Sequence, residues 1–99
     1  MKLIQSISDQ IDEEISDARK YAMCATKFAD SDPELSRTYA QLATEELGHV
    51  DKLHAQVVRI IRDYRASHGE PPEHMLAIYE YVHNREVEKV AEVRLMLQK

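Results

Sequence analysis

The sequence predicts an all-α chain, a helical hairpin followed by a third long helix, completed to a four-helix bundle by dimerisation. Three observations predict it. Only two Gly and three Pro occur in 99 residues, among abundant Glu, Ala, Leu, Arg and Lys, the composition of a helical protein. Apolar residues recur at alternating intervals of three and four, the period of a packed helix face. The pattern is interrupted twice, at residues 29–33 and 68–72, and both interruptions are short.

The first helix is expected over about residues 3–28. Its stripe is Ile4, Ile7, Ile11, Glu14, Ala18, Tyr21, Ala25 and Phe28. Asp9, Asp12 and Glu13 crowd its first half and Arg19, Lys20 and Lys27 its second, a polarity that suits the helix dipole. Asp32 is a good N-cap for the next helix, and Pro33 suits the first helical position, where no N–H is needed. The second helix is expected over about 33–66, stopped by His68-Gly69 and held out of helix by Pro71-Pro72. The third is expected over about 73–98, with the stripe Leu76, Tyr79, His83, Glu86, Val90, Val93 and Leu97. Short connections make successive helices antiparallel neighbours. A single domain over 1–99 follows, though one this small buries only a modest fraction of its surface alone.

Composition excludes several functions. A net charge of −5 argues against non-specific nucleic-acid binding, which needs a basic surface. The one cysteine, Cys24, leaves no intramolecular disulfide and no Cys-x-x-Cys metal knuckle, and reads as a small packing residue. No apolar run approaches the roughly 18 residues of a membrane span, and the start, Met-Lys-Leu-Ile-Gln-Ser, turns polar too soon for a signal peptide. A cytoplasmic or otherwise enclosed setting is the expectation. There is no Gly-rich phosphate loop and no serine in a nucleophile context.

The chemistry concentrates on the second helix, whose stripe is Leu35, Tyr39, Leu42, Glu46, His49, Leu53, Gln56 and Ile60. Glu46 and His49 fall where neighbouring positions carry apolar residues, and a buried charge needs a partner. In an antiparallel hairpin, residues equidistant from the turn are level. The midpoint of 14 and 46 is residue 30, inside the turn, so Glu14 should face Glu46, with His49 one turn further along the same face. Two carboxylates and an imidazole suit iron, manganese or zinc.

One hairpin supplies too few ligands for a dinuclear site. Two around a twofold axis supply four carboxylates and two imidazoles, the inventory of the carboxylate di-metal bundles. Four negative charges against two divalent ions are neutral, which removes the objection to burial. A polar layer that sets helix register or oligomer state is the plain alternative for the same three residues. Glu-x-x-His alone is weak evidence, because Glu80-x-x-His83 repeats it; the stripe position and the level Glu14 distinguish Glu46 and His49.

Glu14, six intervening residues and Tyr21, followed by Glu46-x-x-His49, resembles the first half of a ferritin-like or rubrerythrin-like di-iron protein. The short chain is most similar to the encapsulated-ferritin branch, in which helical hairpins pair and a di-iron ferroxidase centre forms between subunits, often within a larger ring. The resemblance covers residues 14 to 49. It implies Glu14 and His49 as terminal ligands, Glu46 as the bridge between two irons per dimer, and Tyr21 as a nearby hydrogen-bond donor or transient electron source. It also implies a homodimer and an encapsulating shell protein, placing the chain inside a protein nanocompartment.

The third helix departs from the full-length pattern. Glu80, His83 and Glu86 only loosely imitate its second ligand set, and Val90, not Glu86, should be level with His49. His83 and Glu86 read either as a supporting or entry-site pair for metal or as a polar seam between subunits. His54, between Val50 and Val57, either orients a ligand or stays partly exposed. His68 and His74 read as surface residues, and Arg59, Arg62 and Arg65 as solvated or subunit-facing. The expected activity is ferrous-iron oxidation in iron storage or detoxification. A peroxide-reducing protein using the same residues, and a metal-free helical scaffold, are the alternatives.

Overall fold

The computed structural model describes residues 2–98. Three helices, α1 (Lys2–Lys27), α2 (Pro33–His68) and α3 (Glu73–Leu97), account for nearly all of them, with no strand among the described residues. They form a rod 56 × 18 × 18 Å.

The turn after α1 is short because Asp32 starts the next helix at once. Its carboxylate accepts from the Leu35 N–H at 3.2 Å, and Pro33 takes the first helical position, so two of the backbone positions that need special treatment at a helix start are settled locally. α2 runs two residues beyond the expected stop. It ends where Gly69 turns to φ 79°, a left-handed value that glycine adopts without penalty, and the Gly69 N–H donates to the Arg65 carbonyl at 3.1 Å.

The hairpin is antiparallel and its register is consistent along its length. Tyr21 stacks on Tyr39, Ser36 donates its hydroxyl to the Ala25 carbonyl, and His49 approaches Glu14. Each pair of numbers sums to between 60 and 63, as a turn centred near residue 30 requires. α3 returns alongside both helices, resting mainly on α1, to which Arg19 and Glu92 tie it with a 3.2 Å ion pair.

The core has two parts. Ile11, Ile15, Val50, Val57 and Ile61 pack at one end, with Tyr79 and Val90 of α3 against them. Ala18, Ala22, Ala43, Leu47 and Val93 form the end near the turn, where three alanines bring the helices close together.

On α2 the buried face is not the expected stripe. The buried residues are Ala43, Leu47, Val50, Val57 and Ile61, one position further along, which is about 100° around the helix. Leu35, Tyr39, Leu42, Glu46, Leu53 and Ile60 are half-buried, and His49 and Gln56 are exposed. The reason is that α2 carries apolar residues on two adjacent faces, and α3 covers only one. Glu14, Tyr21 and Phe28 of α1 lie half-buried beside the uncovered one. No helix here is long and apolar enough to cross a membrane.

Candidate metal centre

Glu14, Glu46 and His49 come together on the uncovered flank of the hairpin. Each offers one ligand atom, and these atoms all lie within 4.8 Å of one another. His49 Nδ1 is 3.4 Å from Glu14 Oε2 and 3.7 Å from Glu46 Oε2. The helices dictate this. Glu46 and His49 are three residues apart and share a face, and the hairpin register carries Glu14 to the same height.

The site is not dry within one chain. The Glu46 side chain is 19 % exposed, Glu14 30 % and His49 52 %, because α3 packs on the other flank. Yet Glu46 Oε2 is itself shielded from solvent and has no hydrogen-bond partner. A shielded carboxylate oxygen without a partner is costly, and a cation held by the three side chains would satisfy it. Two carboxylates and an imidazole are hard and borderline donors that fit iron, manganese or zinc. The residues fit such an ion.

Tyr21 lies two turns from Glu14, about 10 Å along the helix. Its ring stacks on Tyr39 with centroids 6.2 Å apart, and Tyr39 stacks in turn on Phe28 at 6.1 Å. Sequence reasoning placed Tyr39 on the stripe but gave it no role. The signal was available, since 21 and 39 sum to 60, the register of the hairpin.

The other histidines and acids go elsewhere. His54 stacks on His83 at 4.6 Å, and His83 on Tyr79 at 5.8 Å. With Glu86 they line an open groove of about 640 Å³ along α2 and α3, and none of them belongs to the Glu14–Glu46–His49 group. Burial, and then the neighbouring His54, lowers the His83 pKa from its ordinary 6.5. Glu86 is only 7 % exposed and its Oε1 has no partner. Burial first, then the negative charge of Asp12, pushes its pKa up to about 7, with Lys89 opposing. Glu80 is exposed on α3. Cys24 is a half-buried free thiol.

Comparison with protein-family models, curated proteins and solved structures yields no match. The fold and the site define a three-helix chain with a Glu–Glu–His group on one flank.

Proposed function

We propose that this chain is a ferritin-like di-iron carboxylate protein that oxidises ferrous iron, with its site completed between two copies of the α1–α2 face. The observation that carries the reading is the convergence of Glu14, Glu46 and His49 around a shielded Glu46 oxygen that has no partner. The half-buried Leu42 and Leu53 on the same flank, with Tyr21, Tyr39 and Phe28 further along it toward the turn, support it, since they form an apolar strip that a second hairpin would cover.

In this reading Glu14, Glu46 and His49 would hold the metal, two irons per dimer, with manganese or zinc as the other ions these donors accept. Paired ferrous ions, when bound, supply electrons to dioxygen or peroxide. The protein's part is to fix the donors on rigid helices, to balance the metal charge with carboxylates, and to exclude water with the aromatic flank. Tyr21, stacked on Tyr39 two turns from the site, would be a phenol on the same flank. A ring of such dimers inside a shell-forming partner would keep the oxidised product from the surrounding solution.

Anaerobic titration with ferrous iron, followed by metal analysis, tests the reading. The expected result is about one iron per chain, from two per four-carboxylate site, and oxygen-dependent oxidation that is lost in Glu46→Ala. A protein that takes up no stoichiometric metal, and whose assembly survives Glu46→Ala unchanged, is a metal-free scaffold.

A further inference from the structure

α2 and α3 meet only loosely, because α3 rests mainly on α1, and the gap between them is a groove of about 640 Å³. That volume falls within the roughly 300–1,000 Å³ of small-molecule sites. The register of the two helices decides which side chains enter it. His54 stacks on His83, and the two numbers sum to 137, as an antiparallel pair turning near Gly69 requires. Asp51 and Glu86 also sum to 137. An imidazole pair and a carboxylate pair therefore lie at successive levels, about 4.5 Å apart, and all four residues line the groove.

Glu86 is the residue that lacks something. It is 7 % exposed, and its Oε1 is shielded without a hydrogen-bond partner, a costly state for a carboxylate. Among the described residues, none of Asp51, His54, His83, Glu86 and Arg94 makes a side-chain hydrogen bond or an ion pair. Lys89, whose charge reaches Glu86, lines a different crevice on the α1 side, with Asp12 and Arg19. The groove thus holds two acids at one level, Glu86 at its floor and the exposed Asp51 at its mouth, with no cation between them.

Beyond Glu86 the groove changes character. Val87, Val90, Ala91 and Leu95 continue it as an apolar wall, and Arg94 stands toward its far end, eight residues or about 12 Å past Glu86. His54 and His83, backed by Tyr79, close the other end. A ligand that matches this order carries one positive group, for the acid end, on an apolar body. An anion is repelled by the two acids, a neutral molecule leaves Glu86 uncompensated, and a second positive group at the far end meets Arg94. In so shielded a place the attraction acts on the carboxylate as a whole, so the ammonium group need not touch Oε1 itself.

We propose that the groove between α2 and α3 binds a primary amine on an apolar body, with Glu86 and Asp51 holding the ammonium group and Val87, Val90, Ala91 and Leu95 covering the body. The site is independent of the metal-site reading, because Glu14, Glu46 and His49 lie outside the groove.

Hexylamine, hexanol, hexanoate and hexamethylenediamine present one alkyl body with different ends. Titration of each into the chelator-treated full chain, followed by NMR at pH 8, above the Glu86 pKa of about 7, reads both affinity and place. Chelation keeps metal at Glu14 from contributing, so a failure here leaves the metal reading standing. Hexylamine should bind about tenfold tighter than hexanol, and tighter than the other two, with the largest shifts at His54, His83, Val87 and Ala91. Glu86→Gln should lower its affinity to that of hexanol while urea denaturation shows no loss of stability. Arg94→Glu should raise the affinity for hexamethylenediamine above that for hexylamine. The site is overturned by the absence of a preference for hexylamine, by a preference that survives Glu86→Gln, or by shifts confined to other surfaces. An unchanged order of affinities in Arg94→Glu overturns the placing of the ligand's far end.

Discussion

His49 Nδ1 lies 3.4 Å from Glu14 Oε2, although 35 positions separate the two residues in sequence. Both side chains are substantially exposed, His49 at 52 % and Glu14 at 30 %, so their pairing adds little to the stability of the isolated chain. His49→Ala should therefore shift the metal-free unfolding free energy by less than about 1 kcal/mol. The thermal stabilisation that iron, cobalt or zinc confers on the wild type should vanish in the same variant. Differential scanning fluorimetry with and without metal reads both effects. A variant that keeps its metal-induced rise in Tm removes His49 from the ligand set.

Glu46 is the costlier member of the group. Its Oε2 is shielded and has no hydrogen-bond partner, and an unpaired shielded acceptor costs about 1–3 kcal/mol. Glu46→Leu should accordingly make the metal-free protein more stable, by about 1 kcal/mol in urea denaturation, while abolishing metal binding. A gain in stability with a loss of binding is the pattern of a residue retained for a site and not for the fold. A destabilised metal-free variant would mean that Glu46 supports packing instead.

Glu86 gives the fold a pH dependence of its own. Its pKa rises from 4.5 to about 7, first through burial and then through the charge of Asp12. Below pH 4.5 the carboxyl is protonated in both folded and unfolded chains and has no effect on the balance. Between 4.5 and about 7 the unfolded chain loses this proton more readily than the folded one, so stability falls as pH rises. The full penalty is present above pH 7 and amounts to about 2 kcal/mol once solvent screening is allowed for. Glu86→Gln should leave the urea midpoint near pH 4.5 unchanged and raise it at pH 8. A variant with the same pH profile as wild type excludes Glu86 as its source.

His83 works in the opposite direction at the acid end. Burial, and then the stacked His54, lowers its pKa from 6.5. Its contribution is complete above pH 6.5, where the imidazole is neutral in both states, and is lost as pH falls through the depressed folded value. His83→Phe keeps a flat ring against His54 and Tyr79 without a titrating nitrogen. It should flatten the decline in thermal stability as pH falls below 6.5, and an unaltered decline would assign that loss to other groups.

Helix identity was legible because punctuation and periodicity agree. Asp32-Pro33 and Gly69 followed by Pro71-Pro72 mark the ends that the structure shows, and every stripe has helical spacing. The grouping of Glu14 with Glu46 and His49 was legible for the same reason, since hairpin register is arithmetic once the turn is placed. Which flank of α2 is buried was not. Leu42 and Leu53 mark one face and Leu47 and Val50 the next, and only the position of α3 decides between them. Apolar periodicity fixes a face on its own only when one face is apolar. The elevated pKa of Glu86 was equally hidden, because it depends first on burial by the packed helices and then on Asp12 of α1 lying nearby, and both arise between helices far apart in sequence.

The alanines near the turn set the distance between α1 and α2, and hence the metal centre. Ala18 and Ala43 are fully buried at 0 % exposure, and Ala22 is at 1 %. Ala18 follows Glu14 by four residues and Ala43 precedes Glu46 by three, so both lie one turn from the site on its turn-proximal side. Leucine at either position has no cavity to enter and must push the helices apart, at a cost of about 1–3 kcal/mol. Ala18→Leu should lower Tm and, by separating Glu14 from Glu46, weaken metal binding although no ligand is changed. Met23→Ala, on the exposed side of the same helix at 54 %, should move stability by less than about 0.5 kcal/mol and leave binding intact. Calorimetric titration of both variants with zinc checks the contrast. Equal affinity in Ala18→Leu and wild type would show that the ligands are positioned by something other than the close approach of these two helices.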